Sequence, residues 1–244
     1  MANGTPIIDA HTLFGFWPSR KADLRPETLV ALMKKNGIAK SLVVSATGIL
    51  YDFLRGNDEA LAFGRQSTDV FPLGTVDPKR HVGCAEEIDK RAEQGFKLFS
   101  FYPQHQGWPL DFLPFQKLLD KLAEKKLATM VYCGEPGAAT LLARMSKGGA
   151  SVILSGVSYG NLGEVLAVMK DHAQFMVESH MLNTPDGFEV LCGEVGAHRV
   201  VFGSLSPLKY LNSALMPLKA ATLTDEEKAK ILSGNIRRIL SGEA

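Results

Sequence analysis

Leu127-Ala128-Thr129-Met130-Val131-Tyr132 is a short apolar run, residues 137–145 repeat apolar side chains at helical spacing, and Ser151-Val152-Ile153-Leu154 is a second short apolar run. Apolar runs of about four to eight residues suit buried strands, and apolar spacing of three and four suits an amphipathic helix. The reading is strand, helix, strand. Strands joined through a helix pair in parallel, and a parallel sheet is covered on both faces.

The same unit repeats in both directions. Upstream the pattern predicts a strand over 6–10, a helix over 27–35 with Leu29, Leu32 and Met33 on one face, a strand over 41–44 and a helix over 58–65. A strand over 70–76 follows, with Pro72 placing its first residues outside regular pairing. Then come a helix over 84–94 stopped by Gly95, a strand over 96–101 and a helix over 114–125. Downstream lie a helix over 162–171, a strand over 174–177, a helix over 185–195, a strand over 199–202 and helical segments over 208–220 and 225–240. Eight strand–helix units predict an α/β protein, a single (β/α)8 barrel spanning residues 1–244. The rival, an open doubly wound sheet, calls for a glycine-rich phosphate loop, and no G-x-G-x-x-G follows an early strand.

Composition narrows the partners. The chain has 244 residues, 45% of them hydrophobic and 22% charged, with a formal net charge of +1. That balance gives no broad basic field, so nucleic acid is not expected. Lys34-Lys35 and Lys125-Lys126 read as solvated helix faces. Cys84, Cys133 and Cys192 form no C-x-x-C motif, and an odd count without a secretion signal points to a reducing compartment. The opening Met1-Ala2-Asn3-Gly4-Thr5-Pro6 lacks a basic segment followed by an apolar run. No apolar run reaches the roughly 18 residues that cross a bilayer. The expectation is a cytoplasmic protein with a small-molecule ligand, no membrane contact and scope for a homo-oligomer.

In such a barrel the site lies where the strands end at their C-terminal face. Those positions offer Asp9 and His11, then Tyr102 and His105, then Tyr132-Cys133-Gly134-Glu135, Ser155-Gly156, Glu178-Ser179-His180 and Gly203-Ser204-Leu205-Ser206-Pro207.

These residues carry a resemblance. Ile7-Ile8-Asp9-Ala10-His11-Thr12-Leu13-Phe14-Gly15 resembles the opening of the amidohydrolase-related family, I-D-x-H-x-H-x-G. Val76-Asp77-Pro78, Gly95-Phe96-Lys97, Val131-Tyr132-Cys133-Gly134, the stretch Val200-Val201-Phe202-Gly203-Ser204-Leu205-Ser206-Pro207 (F-G-S-D-x-P in the family) and Gly234-Asn235-Ile236-Arg237-Arg238-Ile239-Leu240 are similar to later family segments, in order. The resemblance implies the barrel and a hydrolase, decarboxylase or lactonase ancestry. It also implies a divalent metal held by two histidines of strand one, histidines of strands five and six, and an aspartate of strand eight.

Here the departures matter. His11 keeps the first ligand position, but Leu13, Cys133, Gly156 and Leu205 occupy the other four. Leucine and glycine side chains donate to no metal, a catalytic zinc needs about three protein ligands, and Leu205 moves no proton. Metal-dependent catalysis of the family type is not expected.

The remaining polar groups suggest three readings. In the first, a metal-free hydrolase or lactonase acting on a small organic acid or lactone uses His11, Glu178 and His180. Glu178 and His180 lie two apart on an extended chain and share a face, so the carboxylate can raise the imidazole's basicity. Tyr102, His105, Trp108, Cys133 and Ser204 would touch the substrate. In the second, a pseudoenzyme binds a small molecule in a mouth made apolar by Leu13 and Leu205. In the third, zinc sits on His11, Cys133 and His180 or Glu178. Asp9 reads as a support for strand one or for His11, Cys133 alternatively as a small buried hydrophobe, and Phe14, Phe16 and Trp17 as loop or core packing.

Overall fold

The computed structural model describes residues 4–242, so the Met1–Asn3 part of the opening segment lies outside the described residues. Eight strands alternate with helices: β1 (Ile7–Phe14), β2 (Ile38–Ser45), β3 in two pieces (Val70–Pro72 and Gly74–Thr75), β4 (Leu98–Phe101), β5 (Ala128–Tyr132), β6 (Val152–Ser155), β7 (Phe175–Glu178) and β8 (Val200–Val201). Every ladder between neighbours is parallel. The backbone N–H groups of Ala10 and Leu13 donate to Phe202 and Ser206, each at 2.9 Å, and that of Leu205 donates to His11 at 2.7 Å. These bonds lay the end of β8 against β1 and close a (β/α)8 barrel.

Local chemistry sets the element ends. The helix Pro26–Asn36 begins on a proline and ends at Gly37 in the left-handed region. The helix Phe53–Gln66 starts earlier than the apolar pattern suggests, because the Asp52 carboxylate accepts from Leu54 and Arg55 N–H groups and caps it there. Pro72 corrects one expectation. It lies in register with Val43, and the strand breaks after it rather than before it. A proline supplies no N–H to continue a ladder.

Period-two alternation divides the core. Met130, Ile153, Met176 and Val201 point into the barrel, while Val131, Leu154, Val177 and Phe202 point out against the helices. No helix among the described residues is long and apolar enough to cross a membrane.

Candidate active site

The inward alternation of β7 runs from Met176 through Glu178 to His180, just past the strand end. β6 contributes Ser155 and β4 runs into Tyr102. In β1 the pairing register shifts between Asp9 and Thr12. That irregularity lets His11 reach the barrel interior directly after the inward Ala10.

These side chains meet on one carboxylate. Glu178 Oε2 lies 2.6 Å from His180 Nδ1, 3.1 Å from His11 Nδ1 and 2.7 Å from Ser155 Oγ, which donates to it. Glu178 Oε1 accepts the His180 backbone N–H at 2.7 Å. His11 Nε2 stands 2.9 Å from the Tyr102 hydroxyl. One proton placement satisfies these contacts. Both imidazoles carry the proton on Nδ1 and donate to Glu178, and Tyr102 donates to His11 Nε2. His180 Nε2 is then a lone pair, and it has no partner among the described residues.

The electrostatics agree with that placement. Burial raises the Glu178 carboxyl, but the nearby His180 and the bonds from His11 and His180 outweigh it and hold Glu178 well below the carboxylate range. Burial holds His180 below the imidazole range, against the pull of Glu178. Burial also pushes the Tyr102 phenol well above its ordinary value, so it is a proton donor at neutral pH. Asp9 lies apart from this cluster. Its carboxylate accepts Ser204 Oγ at 2.5 Å, Ser204 N–H at 3.0 Å and His11 N–H at 3.2 Å, and burial raises it to about 7.

Above the cluster opens a cavity of about 940 Å³. Leu13, Tyr102, Tyr132 and Leu205 line it beside Trp17 and His105, and Arg20, Lys21 and Lys209 bring three cationic side chains. Asp23 also lines it but is engaged by Arg25 and Thr28. His11, Glu178 and His180 do not line it, being only 0–2% exposed.

The structure sorts the candidate residues. It brings His11, Glu178, His180 and Tyr102 together and puts Tyr102 and His105 on the cavity. Burial lowers the His105 imidazole, leaving it a neutral base. Three proposed substrate contacts are corrected. Trp108 packs outside the barrel against Phe101 and Phe115, its indole N–H donating to Gln106. Ser204 is buried and tied to Asp9. Cys133 points into the outer core because Tyr132, one residue earlier, takes the inward phase, and burial raises its thiol well above the ordinary range. The zinc set of His11, Cys133 and His180 is therefore not assembled. On strand six the inward residue is Ser155 rather than Gly156. Phe14 packs on Phe63, Phe16 is exposed and Trp17 faces the cavity, so these three form no single cluster. Tyr132 and Ser155 stand among the strand-end positions but carry no role in the sequence reading, and Lys209 is absent from it. Strict alternation along β5 and β6 points to the first two; nothing in the sequence singles out Lys209.

The family's metal can be tested against these side chains. Leu13 and Leu205 carry no donor atom. The remaining trio, His11, Glu178 and His180, offers ligand atoms within 4.8 Å of one another. Yet Glu178 Oε2 lies 2.6 Å from His180 Nδ1, whereas two ligands of one tetrahedral zinc stand about 3.3 Å apart. The donors bond to one another and do not fit the family's metal.

Solved structures share the fold at low identity. A 5-carboxyvanillate decarboxylase from Novosphingobium aromaticivorans, complexed with manganese and 4-hydroxy-3-methoxy-5-nitrobenzoic acid, is similar at TM-score 0.78 and 15% identity, covering 98% of this chain and 96% of that one. A 2,6-dihydroxybenzoate decarboxylase from Rhizobium gives 0.75 and 14%, covering 98% and 100%. A probable 2-pyrone-4,6-dicarboxylic acid hydrolase from Acinetobacter baumannii, with citric acid bound, gives 0.74 and 14%, covering 96% and 99%. No functionally curated protein matches the chain in sequence. The sequence model described as Amidohydrolase matches residues 8–241, nearly the whole barrel from β1 to the closing helix, and on that match the chain belongs to the amidohydrolase family.

Proposed function

We propose that this chain binds a small anionic ring compound in the barrel mouth and converts it by metal-free acid–base chemistry of the hydrolase or lyase type. The observation that carries the reading is Tyr102. It lines the cavity while its hydroxyl touches His11, so among the described residues it is the cavity-lining side chain hydrogen-bonded to the buried cluster. A phenol that donates to the His11 Nε2 lone pair can take a proton from a substrate atom while passing its own to His11, where Glu178 stabilises the imidazolium, and the reverse path returns the proton to the product. The aromatic walls suit a ring, and Arg20, Lys21 and Lys209 suit an anion. The similar decarboxylases and the pyrone dicarboxylate hydrolase act on carboxylated rings according to their names, which fits this ligand class.

A panel of carboxylated lactones and hydroxybenzoates, followed by product chromatography, tests the proposal. Tyr102→Phe should lower kcat by about 100-fold, the ordinary contribution of one acid–base group, with little change in KM. Turnover unchanged in Tyr102→Phe, and in folded His11→Ala and His180→Ala variants, would sink it.

The burial of His11, Glu178 and His180 favours a second reading, a barrel that binds without turnover. Saturable binding of panel compounds with no product after long incubation is its signature. Multiple turnovers abolished by a cavity substitution exclude it.

A further inference from the structure

The imidazole of His180 ends in an enclosed atom with nothing to bond. Nδ1 is taken by Glu178, and Nε2 is buried with no partner among the described residues. Leaving such an atom unsatisfied costs about 1–3 kcal/mol, a cost that a donor arriving with a ligand removes.

Tyr132 stands beside it. The two rings lie 6.2 Å apart, tilted by 36°, and on the other flank the His105 ring is 5.9 Å from Tyr132. Tyr132 lines the cavity and His180 does not. The Tyr132 ring rests on two glycines. A Cβ on Gly156 would stand 3.0 and 3.1 Å from ring carbons, and one on Gly134 would stand 3.1 Å from another. Any side chain at either position would intrude on this seat. Tyr132 is half-buried, and its hydroxyl makes no hydrogen bond among the described residues. Packing holds it, each aromatic pair contributing about 1 kcal/mol.

We propose that Tyr132 is a specificity gate that swings off the Gly134–Gly156 seat, so that a planar ligand group carrying an O–H or N–H donor takes its place and bonds His180 Nε2. This rests on the mouth being the functional site, but the gate has a readout of its own. Burial keeps His180 unprotonated at neutral pH, so Nε2 is also the atom that an acylating reagent would attack once the ring has moved.

Diethylpyrocarbonate labelling, quantified by peptide mass spectrometry, reports all six histidines separately. His105 on the cavity is the reference and fully buried His11 is the control for folding. In the wild type His180 should react on the order of 10-fold more slowly than His105, the fold-change that a ring contact of this strength produces. Tyr132→Ala should bring His180 close to the His105 rate while His11 stays protected, and Tyr132→Phe should keep the slow rate. Phenol added to Tyr132→Ala should protect His180 again, and toluene, of similar shape without the donor, should not. If Tyr132→Ala exposes His11 as well, Tyr132→Leu is read in its place. An unchanged His180 rate in the folded variant overturns the gate. Equal protection by phenol and toluene overturns the donor requirement. Absence of turnover across the substrate panel leaves the labelling outcome standing, so failure of the gate and failure of the proposed function are separable.

Discussion

Glu178 is a carboxylate sealed inside a barrel and still ionised, because His11, His180, Ser155 and a backbone N–H all converge on it. Hydrogen bonds from neutral donors to a buried charged acceptor contribute about 1.5–3 kcal/mol. Glu178→Gln should therefore destabilise the fold by about that much, read as a lower urea midpoint with an unchanged m-value. The sign with pH follows from the depressed pKa. The contribution of Glu178 is present above the ordinary carboxylate range and is lost as pH falls below it, and the variant should lack that acid limb. Asp9 works in the opposite sense. Its carboxyl is raised from 3.8 to about 7, so its contribution is complete below pH 3.8 and is lost as pH rises through 7. The stability gap between wild type and Asp9→Asn should shift between pH 4 and 7 by on the order of 3 kcal/mol, measured by urea titrations across that window. A gap constant with pH contradicts the raised value.

At the scale of elements, alternation decides which residues face the site. Along β5 it turns Tyr132 inward and Cys133 outward, and along β6 it turns Ser155 inward, so matching motif letters alone misplaces both strands by one residue. The glycine after β8 has a physical cause too. A Cβ on Gly203 would stand 2.2 Å from Glu178 Oε1, so the carboxylate lies against bare backbone there. Gly203→Ala should displace Glu178 and cost at least about 3 kcal/mol, as overpacking and a broken buried network combine. Thermal unfolding reads this directly, and a wild-type Tm in Gly203→Ala would refute the packing argument.

Across the whole molecule, Leu13 and Leu205 line a cavity that also carries cationic side chains, and on the proposed metal-free reading it holds no metal. A ligand that binds the native state raises Tm by mass action, and removing it lowers Tm. Chelator treatment and later addition of zinc or manganese should each leave Tm unchanged, with less than a tenth of an equivalent of metal retained by elemental analysis. Stoichiometric metal, with a Tm that rises on reloading, would restore the family's mechanism to this chain.

The sequence by itself determined the barrel, the family and which side chains stand at the family's metal positions. Strand and helix periods are local properties, and the identity of a side chain decides whether it can donate to a metal wherever it sits. It also brought His11, Glu178 and His180 forward as a group, since strand ends must share one face of the barrel. Only the tertiary structure decided that these three bond to one another beneath a floor of Leu13, Tyr102, Tyr132 and Leu205, and that Trp108, Cys133 and Ser204 face elsewhere. The physical reason is that burial and hydrogen-bond partners arise between strands far apart in the chain: 167 residues separate His11 from Glu178, and no local pattern records what closes over them.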